Sequence, residues 1–97
     1  MKLMISVFDA RDGQKEQIFS EFPISIGRLP DNDIVIIDKF VSRRHSEIRA
    51  DGTSFILKDL HSTNGSVINN DLVDESTVLN DQDVVKIGKF KLIIHLV

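Results

Sequence analysis

Phe90-Lys91-Leu92-Ile93-Ile94 sets apolar residues at 90, 92 and 94, the two-residue period of a strand with one buried face. The same alternation runs through Leu3, Ile5 and Val7 near the start and through Phe55 and Leu57 in the middle. Helical spacing is sustained nowhere. Turn signals interrupt the apolar runs at Asp12-Gly13, Pro30-Asp31-Asn32, Asp51-Gly52, Asn64-Gly65, Asn69-Asn70-Asp71, Asn80-Asp81 and Gly88. Many short strands at this rhythm point to an all-β sandwich or barrel. Strands are expected near 2–8, 17–22, 24–27, 34–37, 46–50, 54–59, 66–68, 76–79, 83–87 and 90–96. The run Ile34-Val35-Ile36-Ile37 breaks alternation, so it reads as a strand buried on both faces and central in its sheet.

Ninety-seven residues fall within the size of one domain, and nothing divides two apolar cores, so residues 1–97 are expected to form a single unit. With 41% hydrophobic and 28% charged residues, the chain can bury a modest core. The absence of cysteine excludes a disulfide framework and thiolate metal sites, and a cytoplasmic setting is the default. Met1-Lys2-Leu3-Met4-Ile5 lacks the apolar core of a signal peptide, and no run approaches the ~20 residues that span a bilayer, so no membrane role is expected. A net charge of -3 is a poor footprint for nucleic acid, which needs a basic face. Arg28, Lys39, Arg43 and Arg44 share one stretch, but Asp31, Asp33 and Asp38 are interleaved with them. An anion site there must select by geometry more than by bulk potential.

Three polar stretches, 28–33, 38–45 and 60–65, are where exposed chemistry can sit on a rigid scaffold. Gly27-Arg28 ends a strand. Alone it is a turn glycine beside a solvated arginine, but the guanidinium can fork onto phosphate oxygens. Ser42-Arg43-Arg44-His45 offers a hydroxyl beside a guanidinium, the neutral and cationic donors that a phosphate monoester takes. His45 reads better as a histidine that braces the loop from behind. Ser62-Thr63-Asn64-Gly65 carries the Asn-Gly hairpin signal, yet its preceding side is polar and does not alternate. A longer shaped loop is therefore expected, in which Thr63 donates to phosphate, Asn64 pairs with the main chain of an extended ligand, and Gly65 takes a positive φ.

Gly27-Arg28, Asp31-Asn32-Asp33-Ile34-Val35-Ile36, Val41-Ser42-Arg43-Arg44-His45, Lys58 through Ser66, Ile68-Asn69, Leu79, Asp83 and Ile87-Gly88 follow in an order and spacing that closely resembles the forkhead-associated (FHA) domain family. The resemblance implies a β-sandwich of two packed sheets, with about 10–11 strands, that recognises phosphothreonine. It implies that Arg28, Ser42 and Thr63 ligate the phosphate and that Arg43 assists through its charge or backbone. Asn64 would order the peptide main chain, and Gly27, His45 and Gly65 would shape the loops. It further implies that the three loops meet at one end of the sandwich. The partner would be a phosphothreonine-containing protein, and hence a Ser/Thr kinase system; no cofactor is implied. Three positions depart from the family pattern: Gln82-Asp83 in place of Gly-Asp, which suggests a different turn, Asn69-Asn70 in place of Asn-Gly, and Ser66 in place of threonine.

No catalytic set is expected. Ser42 lacks a Gly-x-Ser-x-Gly elbow, and His45, His61 and His95 do not fall at metal-ligand spacing. The more serious rival is a phosphate-independent interaction domain of the same fold. The sequence suits a free-standing adaptor and a domain of a longer chain equally.

Overall fold

The computed structural model describes residues 2–9, 11 and 13–97. The Asp12 half of the first turn signal and Met1 lie outside the described residues. Eleven strands follow in order: β1 (Leu3–Asp9), β2 (Gly13–Phe19), β3 (Ile24–Gly27), β4 (Ile34–Val35), β5 (Ser46–Asp51), β6 (Ser54–Asp59), β7 (Val67–Ile68), β8 (Asp71–Leu72), β9 (Ser76–Leu79), β10 (Val84–Ile87) and β11 (Phe90–Leu96). They form two sheets, one in the order β2-β1-β11-β10-β7-β8 and the other β4-β3-β5-β6-β9. This is the all-β sandwich expected from the sequence.

The alternating residues meet between the sheets. Leu3, Ile5, Val85, Ile87, Leu92 and Ile94 from the first sheet pack against Ile24, Ile26, Ile48 and Leu57 from the second, each at most 1% exposed. Burying side chains of this size contributes about 1.5–3 kcal/mol each, which is what holds two short-stranded sheets face to face. One long ladder joins the first and last strands, with Leu3 opposite Leu96 and Phe8 opposite Lys91. Closing the sheet there frees the loops at 28–33, 38–45 and 60–65 to gather at one end.

Several local expectations need correction. Ile34–Ile37 is not a central, doubly buried strand: β4 is the edge of its sheet and pairs in parallel with β3 alone. Ile34 and Ile36 are buried, whereas Val35 is 39% and Ile37 69% exposed, so the run alternates in space although every letter is apolar. A string of apolar residues cannot by itself distinguish two buried faces from one. The strand expected at 17–22 begins earlier, at Gly13, because the polar residues Gln14–Gln17 pair with β1 as an edge strand that carries no apolar period. The two-residue strand β8 was not anticipated, being too short to show a pattern.

The unusual turn residues also resolve. Asn69 and Asn70 take φ of 48° and 74° between Ile68 and Asp71, which face each other across the ladder, so the Asn-Asn pair makes the left-handed two-residue hairpin that Asn-Gly would. Gln82 was expected to change the turn before β10. Instead it holds φ 69°, the backbone that a glycine prefers, so the side chain is carried in a strained conformation and the turn is kept. The Gln82 amide is secured by donating to the Ile94 carbonyl at 2.7 Å.

Candidate functional site

The loop after β3 is held against the loop before β5 by the backbone. Arg28 N–H donates to the Ser42 carbonyl at 3.1 Å and Leu29 N–H to that of Arg43 at 3.3 Å. Gly27 is required by this closeness: a Cβ there would stand 2.2 Å from the Arg43 carbonyl oxygen. The Asn32 amide nitrogen, buried in the same loop, donates to the carbonyls of Leu29 and Arg43, both at 2.9 Å, and pins the loop from inside.

His45 is fully buried and joins the second loop to the third. Its Nδ1 accepts from the Ser42 N–H at 3.1 Å, which obliges Nε2 to carry the proton and donate to the Gly65 carbonyl at 2.8 Å. The expectation that this ring braces the loop from behind matches its geometry. Gly65 has φ +84°, as expected, and a Cβ would also meet Leu72 Cδ1 at 2.7 Å.

Asp59, at the end of β6, organises the third loop. Its Oδ1 accepts from the hydroxyls of Ser62 at 2.6 Å and Ser66 at 2.7 Å, and its Oδ2 from the Ser62 N–H at 3.0 Å. Burial pushes this carboxyl up, but the two hydroxyls and the amide outweigh it and hold it below the ordinary aspartate value. Asp38 plays a similar part for the second loop. It accepts from the Phe40 and Lys89 amides, both at 2.9 Å, and these two bonds lower its pKa.

Across these braces the five predicted contact residues come together. Arg28 is exposed and its Nε donates to the Val41 carbonyl at 3.1 Å, which aims the guanidinium while leaving its two terminal nitrogens without a partner among the described residues. The Ser42 hydroxyl accepts from the Thr63 N–H at 3.1 Å and donates to no group among the described residues, so its proton is available. The Thr63 hydroxyl and the Arg43 guanidinium, both on exposed residues, make no hydrogen bond among the described residues. Asn64 differs in part from expectation: its amide nitrogen is already engaged with the Phe40 carbonyl at 2.7 Å, so only its oxygen and second amide proton remain for a ligand. Arg44, by contrast, is occupied by Asp31 at 2.6 Å and Asn32 at 3.1 Å. Among the described residues, the result is an edge with the Arg43 guanidinium and both terminal nitrogens of Arg28 unpaired and two hydroxyl protons unspent, on a chain whose net charge is -3.

The family model described as "FHA domain" matches residues 24–88, a span that contains every free donor at this edge and all of its braces except the Lys89 amide. The chain belongs to the FHA domain family. Over 69 residues it is 49% identical to the glycogen accumulation regulator GarA of Mycolicibacterium smegmatis, covering 71% of this chain and 43% of that protein. The chain thus matches less than half the length of that relative. Among solved structures it is similar to one from an analysis of phosphothreonine-dependent FHA domain interactions, with TM-score 0.87, 35% identity and coverage of 100% and 98% of the two chains. It is also similar to Mycobacterium tuberculosis EmbR in complex with a low-affinity phosphopeptide, with TM-score 0.84, 30% identity and coverage of 95% of this chain and 24% of that one. FHA domains are interaction modules.

Sequence reading did not single out Asn32, Asp59 or Asp38 as organisers of this FHA edge. Asp59 with Ser62 three residues on, and Asp38 with Phe40 two on, have the spacing at which a carboxylate caps a following amide, the one local signal that could have marked them. The bonds of Asn32 to Arg43 and of Asp38 to Lys89 join residues too distant in sequence to leave any such trace.

Proposed function

We propose that this FHA domain, residues 1–97 acting as one recognition unit, binds phosphothreonine in an extended protein segment through Arg28, Ser42, Arg43, Thr63 and Asn64. The observation that carries the reading is the surplus of donors: the three loops are tied together by buried hydrogen bonds, yet the guanidinium of Arg28 and the hydroxyls of Ser42 and Thr63 still have protons to give. A phosphothreonine brings about -1.5 to -2 charges and three strong acceptor oxygens. Each charge-assisted bond is worth roughly 1.5–3 kcal/mol, so a few approach the ~8 kcal/mol of micromolar binding.

A non-enzymatic role is supported by the use of both His45 ring nitrogens on backbone groups, which leaves no base directed at the Ser42 hydroxyl. The other serine–histidine pair, Ser6 with His95 at 3.0 Å, has its serine only 2% exposed, out of reach of a substrate. The partner is then a protein modified by a Ser/Thr kinase. Among the described residues no helix is long and apolar enough to cross a membrane, and a cytoplasmic setting is part of this proposal.

Calorimetric titration with a phosphothreonine peptide library, its dephosphorylated counterpart and a glutamate-substituted version tests it. Binding is expected for the first alone, and Arg28→Ala should weaken it by at least about tenfold with melting unchanged. Equal heat from dephosphorylated peptides would instead establish a phosphate-independent interaction domain.

A further inference from the structure

The outer faces of the two sheets are built differently. On the five-stranded sheet the register carries Glu47, Arg49, Lys58 and Ser76 outward beside Ile56 and the 51% exposed Val78, and Arg49 has a carboxylate at hand in Glu47 at 2.6 Å. On the six-stranded sheet the residues facing away from the core include Met4, Phe8, Val67, Leu72, Val84 and Ile93. Most are half-buried by their neighbours, and Leu72 is 69% exposed. Ser6, His95, Gln14 and Glu16 share this face, so its apolar side chains lie among polar ones, with Phe8, Ile93 and Val84 grouped around Lys86 and Lys91.

Two lysines stand in the middle of it. Lys86 and Lys91 are register partners on adjacent antiparallel strands, both exposed and both on this face. Like charges placed directly opposite destabilise a sheet, so the pair is a cost that the fold does not need. Among the described residues neither meets a carboxylate within ion-pair distance. The carboxylate that the register puts on this face, Glu16, lies two strands from Lys91, roughly 10 Å away at ordinary strand spacing. A local positive charge ringed by apolar side chains, on a chain of net charge -3, calls for an occupant of the opposite sign.

We infer that the outer face of the six-stranded sheet is a second docking surface, for an acidic protein segment that presents carboxylates to Lys86 and Lys91 and apolar side chains to Phe8, Val84 and Ile93. The surface adjoins the recognition edge, since Leu72 lies against the open side of Gly65. A partner anchored in the loops would therefore bring neighbouring surface within reach of it. Docking here needs no phosphate and stands whether or not the loops bind phosphothreonine.

The test is a titration of the ¹⁵N-labelled chain with an unphosphorylated synthetic peptide in which Leu-Val pairs alternate with Glu-Glu pairs, so that each face of the extended segment carries both kinds of side chain, followed by amide shifts. Parallel arms use the same peptide with lysine for glutamate, phosphatidylserine vesicles, and a phosphothreonine peptide. The expected result is perturbation centred on β10 and β11 by the glutamate peptide alone, with the phosphothreonine peptide acting at residues 28–45 and 60–65. Charge reversal by Lys86→Glu with Lys91→Glu replaces one like-charge pair with another, so the fold should melt unchanged. The same double variant should weaken the glutamate peptide by about tenfold or more and leave the phosphothreonine peptide untouched. Lys86→Glu alone should not lower the melting temperature, because it relieves the repulsion, yet should still weaken docking. Absence of shifts on β10 and β11, equal binding of the lysine peptide, binding of vesicles in place of peptide, or a concentration-dependent dimer closed over this face would each overturn the inference.

Discussion

His45 and Asp83 are both buried polar residues that gather hydrogen bonds at strand ends, and they do opposite things with them. Around Asp83, Oδ1 accepts from the Asn69 side chain at 2.9 Å and Oδ2 from the Asn80 amide at 2.7 Å, while Asn69 Oδ1 accepts from Val84 N–H at 3.0 Å. The circuit closes on itself, and the groups it gathers are spent on shaping the turns between β7, β9 and β10. Around His45 the braces are as complete, but they hold up residues whose own donors point outward unspent: Arg28, Ser42, Arg43 and Thr63. A closed network is a structural device, since every group in it would be costly to leave unpaired. A rigid network that presents leftover donors is a receptor for acceptors, and phosphate is the acceptor that uses cationic and neutral donors together.

The contrast can be broken most severely at His45. His45→Ala strands the Ser42 N–H and the Gly65 carbonyl in the interior, each at a cost of about 1–3 kcal/mol, so calorimetric melting should fall by the equivalent of about 2–5 kcal/mol and phosphopeptide affinity should fall with it. Lost binding with unchanged melting would contradict the bracing role. Asp83→Ala should also destabilise, by about 2–3 kcal/mol, but peptide affinity measured well below the melting temperature should stay within error. If affinity drops at Asp83 as it does at Arg28, the two networks are not separable.

Acid provides a gentler probe. Asp59 and Asp38 have folded-state values held below the ordinary 3.8, so the stability they confer is present above that value and is lost as pH falls through their lower, folded values. Denaturant midpoints measured downward from pH 5 should decline below pH ~4, and Asp59→Asn should flatten part of that decline. The smallest effect is expected at Gln82: Gln82→Gly places the residue suited to φ 69° in that turn and should raise stability by about 0.5–1 kcal/mol, with no change in binding. A loss instead would mean that the Gln82 side-chain contact with His95, at 3.1 Å, outweighs the backbone strain.

The β class and the core were legible because alternation of apolar residues is a local property: Leu3, Ile5, Leu57, Leu92 and Ile94 are buried as their spacing demands. The candidate ligands were legible because Arg28, Ser42, Thr63 and Asn64 lie in polar stretches with fixed spacing to turn residues. Edge strands were not. Polar β2 and all-apolar β4 both misled, since an edge strand is defined by the neighbour it lacks, which no local pattern records. The partial engagement of Asn64 by the Phe40 carbonyl was equally invisible, because the two loops touch only after folding.

By itself, then, the order of residues determined that alternating strands would close around an aliphatic interior and which side chains would carry donors. Only the tertiary structure decided which of those donors are consumed. Arg44 is spent on Asp31, while Arg43 and the terminal nitrogens of Arg28 have no partner among the described residues. On the outer faces Arg49 meets Glu47, whereas Lys86 and Lys91 stand opposite each other. Hydrogen bonding and charge pairing saturate at close range, and side chains that meet at close range here stand up to 89 positions apart in the chain.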